Sequence, residues 1–151
     1  MKIKLVVPDL YKDYIEGTEE KAPVVFKSVL LCFLTKAVMI GGNFTNQKVH
    51  INTRVLKHMY DKKPAEEFDF VIHNIHSIVR YPDHIYKNKN AKRGQLCLVK
   101  KIKDRNYLCS IQIFTNNTED ISVVTAFRVR DNNYLKNYEL LWDWKGGGPS
   151  S

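Results

Sequence analysis

The sequence predicts an α+β domain in which N-terminal helices pack on a twisted antiparallel β-sheet of about four strands. Two observations carry this. Apolar residues recur at helical spacing before Arg80, and from Ile85 onward they fall into short strand-like runs separated by turn residues. Helices gathered ahead of closely connected strands point to an α+β layer rather than alternating βαβ units. The chain of 151 residues suits one domain with a real core.

Lys2 to Val7 alternates charged and apolar residues, as a half-buried strand does, and Pro8 ends it. Tyr11 to Ala22 is polar and acidic, a loop or short helix. Val24 to Ile40 is rich in Val, Leu, Ile and Phe and reads as one or two strands or as a helix; periodicity does not separate them. Gly41-Gly42-Asn43 signals a turn. Thr53 suits the N-cap of a short helix carrying Val55, Leu56, His58 and Met59. Pro64 fits the first turn of a second helix, with Glu66 and Glu67 near its positive end. Phe68, Val71, Ile72, Ile75, Ile78 and Val79 then share one face, and Tyr81-Pro82 stops the helix.

Ile85 to Lys87, Leu96 to Ile102, Tyr107 to Phe114 and Ile121 to Arg130 read as strands. Lys92-Arg93-Gly94, Asp104-Arg105-Asn106 and Asn116 to Asp120 read as turns between them. Connections this short favour an antiparallel meander.

The net charge of +8 favours a polyanionic partner: nucleic acid, an acidic protein or an anionic membrane. Lys87, Lys89, Lys92, Arg93, Lys100, Lys101, Lys103 and Arg105 crowd the stretch from Tyr81 to Arg105, opposed only by Asp83 and Asp104. Such a run either binds phosphate or solvates one face. Cys32, Cys97 and Cys109 show neither zinc-knuckle nor redox spacing, which implies a reduced compartment. His73 and His76 are spaced i, i+3 without a completing ligand, so no metal and no cofactor is expected. No signal peptide is visible, and the Val24–Ile40 run is too polar for a membrane span. A cytoplasmic protein, or one delivered by something else, and no membrane partner are the expectations.

RNA cleavage without a metal needs a base for the 2′-hydroxyl, donors for the non-bridging oxygens and an acid for the leaving 5′-oxygen. Histidine suits the outer roles, and Lys or Arg the middle one. Taken singly, His58 also reads as a helix-surface histidine, His84 as a loop residue, Thr125 as a β-former and Tyr134 as an anchor after a turn.

In series they resemble a known pattern. Val55-Leu56-Lys57-His58 closes a helix, a longer amphipathic helix follows, and Tyr81-Pro82-Asp83-His84-Ile85-Tyr86-Lys87-Asn88 leads into a basic hairpin. Val123-Val124-Thr125-Ala126-Phe127, Tyr134-Leu135 and Leu140-Leu141-Trp142 complete it. The chain resembles, from about Ile51 to Trp144, the phage-associated branch of the barnase–EndoU–colicin E5/D–RelE-like nuclease superfamily. The resemblance implies metal-independent endoribonuclease action by transesterification, a toxin or phage-effector setting, and tRNA or mRNA as substrate. It implies His58 as the acid–base group, Lys87 as the phosphate-binding cation, Thr125 as a donor to a phosphoryl oxygen, and Tyr134 as a stacking residue or second proton donor. Lys89, Arg93, Lys101, Arg128 and His84 are the further candidates for RNA or phosphate binding. It also sets a nuclease core over residues 51–145 apart from a strand-rich extension over 1–50; the tail over 146–151, Gly-Gly-Gly-Pro-Ser-Ser, has little to bury and is expected to be flexible. An acidic antitoxin or immunity protein is an expected partner.

Two other classes fit the same charge. A non-catalytic RNA-binding module would use the basic hairpin with Tyr81, Tyr86 and Tyr107 as stacking platforms. A protein-interaction domain would hold an acidic partner on the same patch.

Overall fold

The computed structural model describes residues 6–62, 64–90, 94–113, 120–131 and 133–145. In chain order they form α1 (Val6–Tyr14), β1 (Ser28–Phe33), α2 (Lys36–Gly41), β2 (Lys48–Asn52), α3 (Thr53–Lys62), α4 (Ala65–Arg80), β3 (His84–Lys87), β4 (Leu96–Ile102), β5 (Arg105–Ile113), β6 (Ile121–Val129) and β7 (Leu140–Asp143). The strands make one sheet of order β1-β2-β6-β5-β4-β3-β7.

Residues at period 3.6 on α4 meet residues at period 2 on the sheet, and that match makes the core. Phe68, Val71, Ile72, Ile75, Ile78 and Val79 are all buried, as the sequence pattern predicts. With Leu56 and Met59 of α3 they pack on Leu98, Cys109, Ile111, Val123 and Ala126. Helices α1, α3 and α4 therefore cover one face of the sheet.

The α+β class and the β3–β6 meander match the sequence reading, but the sheet has seven strands among the described residues, not about four. The Val24–Ile40 run holds both a strand and a helix. Its switch is Thr35, whose hydroxyl accepts from the Val38 N–H at 3.3 Å and caps α2. β2 and β7, five and four residues long, are held in the sheet by pairing with β6 and β3, segments distant along the chain. Nor is the sheet wholly antiparallel: β2 runs parallel to β6, with Val49 opposite Ile121 and His50 opposite Ser122. The chain between them contains both helices α3 and α4, the long crossover that parallel pairing requires.

Two local expectations also change. Val6 and Val7 open helix α1 instead of ending a strand, and Pro8 is tolerated because it falls in the first turn; residues 2–5 lie outside the described residues, as does the 146–151 tail. The cap of α3 is Asn52, whose Oδ1 accepts from the Val55 N–H at 2.9 Å. Thr53 instead donates to the Val25 carbonyl and accepts from the Lys27 N–H, tying the approach to β1 onto α3.

Lys57 is buried on α3, where its ammonium donates to Thr18 Oγ1, the Glu19 carbonyl and Asp61 Oδ1. It fastens the loop after α1. Replacing Lys57 with Ala is expected to lower unfolding free energy by about 2 kcal/mol, read from urea midpoints; an unchanged midpoint would contradict this role. Burial opposes ionisation of Asp61, but hydrogen bonds from Lys57 and the Lys21 N–H hold its carboxyl below the usual range. A depressed folded-state pKa contributes stability above the unfolded value of about 3.9 and loses it as pH falls through the folded value. Asp61→Asn is therefore expected to flatten the acid limb of the melting temperature against pH.

Candidate active site

The face of β3–β6 turned away from the helices carries its own pattern. Tyr86 lies opposite Cys97, Cys97 opposite Ser110, and Ser110 opposite Thr125, so one row crosses four strands. The next row is His84, Val99, Leu108 and Phe127. Directly opposed residues share a face, so each row presents its side chains together.

Thr125 reaches this face through a bulge. Ser110 pairs with Thr125 but Ile111 pairs with Val123, which leaves Val124 as the extra residue of β6. Before the bulge Ile121 and Val123 point into the core; after it Ala126 does, and Thr125 and Phe127 point the other way. Unbroken alternation would have put Thr125 under the helices.

After β6 the chain turns back across this open face. The turns are closed by the Tyr134 N–H to the Asp131 carbonyl at 3.0 Å and the Tyr138 N–H to the Leu135 carbonyl at 3.1 Å. They bring Tyr134 and Tyr138 into a stack with ring centres 5.8 Å apart. Tyr134 meets Phe127 edge-on at 5.8 Å, and Tyr138 meets Tyr86 edge-on at 6.5 Å. The Lys89 ammonium sits 5.1 Å over the Tyr138 ring.

The result is a cleft of about 320 Å³ whose polar lining is Asn88, Asn90, Ser110, Thr125, Tyr134 and Tyr138. Ser110 is 2 % exposed, and its hydroxyl is buried with no hydrogen-bond partner among the described residues. A buried hydroxyl left so costs about 1–3 kcal/mol, which an incoming polar group would recover. Burial, with the Tyr134 hydroxyl beside it, pushes Tyr138 up to about 12. Burial, then the Asp143 charge, also raises Tyr86. Both phenols stay protonated at neutral pH and act as donors. Burial pushes the Cys97 thiol up to about 12, so it is not a thiolate nucleophile.

Of the residues singled out in the sequence, Thr125 and Tyr134 line this cleft, and Lys89 stands over its Tyr138 wall. His84 shares the face one row along: its ring is 5.8 Å from Tyr86, and its Nε2 is 3.8 Å from Asp143 Oδ2. Lys101 has open-face parity but lies at the far end of β4, exposed, with its backbone N–H donating to Asp83 Oδ2. Lys87 pairs with core-facing Leu96 and so has the opposite parity to Tyr86; it is exposed at the strand end. His58 is exposed on α3, on the helix-covered side of the sheet. Arg128 also belongs to that side, in a separate cleft with Lys103, Arg105 and Arg130. Arg93 lies outside the described residues.

The sequence reading passed over Ser110 and Tyr138. Ser110 had a signal, since it is a polar residue set in the apolar run Leu108-Cys109-Ser110-Ile111. Tyr138 had none, because its place depends on the return of the chain after β6.

Among the described residues no three His, Cys, Asp or Glu side chains gather as a metal-ligand set, and no helix is long and apolar enough to cross a membrane. No curated protein and no solved structure matches the chain. The family model described as phage-Barnase-EndoU-ColicinE5/D-RelE like nuclease3 matches residues 35–136. That span runs from the cap of α2 through β6 to the turn carrying Tyr134, and so takes in the Ser110–Thr125 row. Covering more than half of the sequence, the match places this chain in the phage-Barnase-EndoU-ColicinE5/D-RelE like nuclease family.

Proposed function

We propose that this nuclease-family member is a metal-independent endoribonuclease that works in the open-face cleft. The observation that carries the reading is the Ser110–Thr125 pair, two hydroxyls side by side on a cleft floor under Tyr134 and Tyr138. The hydroxyls of Ser110, Thr125 and the hydrogen-bonded Tyr134–Tyr138 pair, with the Lys89 ammonium, suit the non-bridging oxygens of a phosphodiester, where charge grows as phosphorus becomes five-coordinate. His84 takes the acid–base role in this proposal, because it is the histidine of the β3–β6 rows on that face and has Asp143 to orient it. His58, across the sheet, gives up that role.

The 2′-oxygen loses its proton and bonds to phosphorus, the bond to the 5′-oxygen breaks, and that oxygen takes up a proton. The products are a 2′,3′-cyclic phosphate and a 5′-hydroxyl. Incubation with total tRNA and a mixed RNA ladder in EDTA tests this. Discrete fragments ending in cyclic phosphate are expected; intact RNA, or cleavage that needs a divalent ion, would overturn the mechanism. Thr125→Val is expected to slow cleavage about tenfold, the equivalent of one hydrogen bond to a charged oxygen, with an unchanged melting temperature. A full rate in that variant would remove Thr125 from the site.

A binding module without chemistry is the second reading. It draws on one observation: His84 stands outside the lining of the cleft. It predicts a salt-dependent gel shift with no product. The charge of +8 also supports an acidic neutralising partner, the usual safeguard for a toxic nuclease.

A further inference from the structure

A second cleft, of about 410 Å³, opens on the helix-covered side of the sheet at the far end of β5 and β6. Lys103, Arg105, Arg128 and Arg130 line it. Lys103 and Asp104 form the two-residue turn between β4 and β5, both with positive φ, so the turn aims Lys103 and the first residue of β5 at one place. The floor is built: Phe70 of α4 stacks on Tyr107 with ring centres 4.9 Å apart. Arg130 forms an ion pair there, its Nη2 being 2.6 Å from Oε1 of the buried Glu67 without an aligned hydrogen bond to it.

Three cations here lack such a partner. Among the described residues Lys103, Arg105 and Arg128 have no carboxylate within ion-pair distance. The Arg128 Nε is buried with no hydrogen-bond acceptor. Converging cations around a buried, unmatched guanidinium N–H make a concave site that an oxyanion would complete. The acidic residues at the site are Glu66 and Glu67, and Glu67 is engaged by Arg130.

We infer that this cleft is a second phosphate-binding site, which docks the ribose-phosphate backbone of a folded RNA away from the place of cleavage. The inference rests on the ribonuclease reading for the identity of the polyanion. Arg130 lies five residues beyond Thr125, roughly 16 Å along the strand direction, and the two clefts open on opposite faces. A short single strand held over Ser110 and Thr125 does not turn the end of the sheet to reach it. A hairpin does, because an A-form stem presents phosphates on a broad surface. The site would thus select structured RNA over short oligonucleotides without reading bases. An RNA backbone is favoured over an acidic protein because the chain belongs to a nuclease family and a phosphate matches the guanidinium forks of Arg105 and Arg128 that line the cleft.

The test uses the full chain and a uniformly 2′-O-methylated RNA hairpin of roughly one helical turn, which cannot be cleaved through its 2′-oxygen. Lys103→Glu with Arg105→Glu, both at exposed positions, is expected to weaken hairpin binding at least about tenfold. It should also lower the slope of log K against log salt by about 1 for each phosphate no longer neutralised, while affinity for a 2′-O-methyl tetranucleotide stays the same. Arg128→Lys, which keeps the charge and removes the buried fork, should weaken the hairpin alone. Unchanged hairpin affinity, or equal losses on hairpin and tetranucleotide, would overturn the inference. So would polyglutamate outcompeting the hairpin at this cleft, which would assign it to an acidic protein. Cleavage of the unmodified hairpin is read separately. Its absence would sink the ribonuclease reading, and the binding of the uncleavable hairpin would still decide the second site.

Discussion

His84→Ala is expected to slow RNA cleavage by about a hundred- to ten-thousand-fold, the usual contribution of a positioned acid–base group, while His58→Ala leaves the rate unchanged. The contrast follows from strand parity. His84 opens β3 on the face that carries Tyr86, Ser110 and Thr125, and it has Asp143 at 3.8 Å on the neighbouring β7. His58 is exposed on α3, and the whole core stands between it and the cleft. Asp143→Asn should lie between the two, since it removes the orienting charge and leaves the imidazole. Single-turnover rates on one RNA substrate read all three, with urea midpoints to show that each variant folds. Equal losses in His84→Ala and His58→Ala, or a loss confined to His58→Ala, would refute the assignment of the site to the open face.

Gly41→Ala is expected to destabilise the protein by about 1–3 kcal/mol, the range for overpacking a filled core. Gly41 ends α2 directly against the Trp142 indole, and an added Cβ would fall inside van der Waals contact with three ring atoms. Trp142 belongs to the main core and pairs with Ile85 across the β3–β7 ladder, and its ring also borders an open cleft with Val38 and Trp144, so it yields toward that side at the expense of its packing. Displacing it loosens β7, and with β7 the Asp143 carboxylate beside His84, so cleavage should fall along with the urea midpoint. Gly17→Ala separates space from backbone strain. Gly17 has φ +80° but nothing within 4 Å of an added Cβ, so its cost is conformational only, about 1 kcal/mol. In the double variant Gly41→Ala with Trp142→Leu, the two penalties should combine to less than their sum, because the smaller side chain leaves room for the methyl group. A midpoint unmoved by Gly41→Ala would show that the indole shifts freely.

Local chemistry was readable wherever a segment reports its own burial. The apolar face of α4, its stop at Tyr81-Pro82, and strands β4, β5 and β6 all follow from spacing and turn residues within the segment. The Val24–Ile40 run was not readable, since a strand and a helix meet there with the same apolar composition and differ only in the Thr35 cap. β7 exists through its pairing with β3, a segment far from it along the chain. The candidate site was half readable. Thr125, Tyr134, Lys89 and His84 were singled out from residue type and order, whereas Ser110 and Tyr138 depend on what lies across the sheet.

By itself the sequence determined the class of the fold, the basic character of the protein and the residues that mark its family, because each depends on composition or on neighbours close along the chain. Which of those residues lie together was decided by the tertiary structure alone. A strand side chain changes face with every residue, and the single extra residue at Val124 carries Thr125 out of the core and onto the open face. The same parity leaves Lys87 and Arg128 on the other side of the sheet, and the helix layer takes His58 with it. Face, bulge and crossover are relations between distant segments, and no window of sequence contains them.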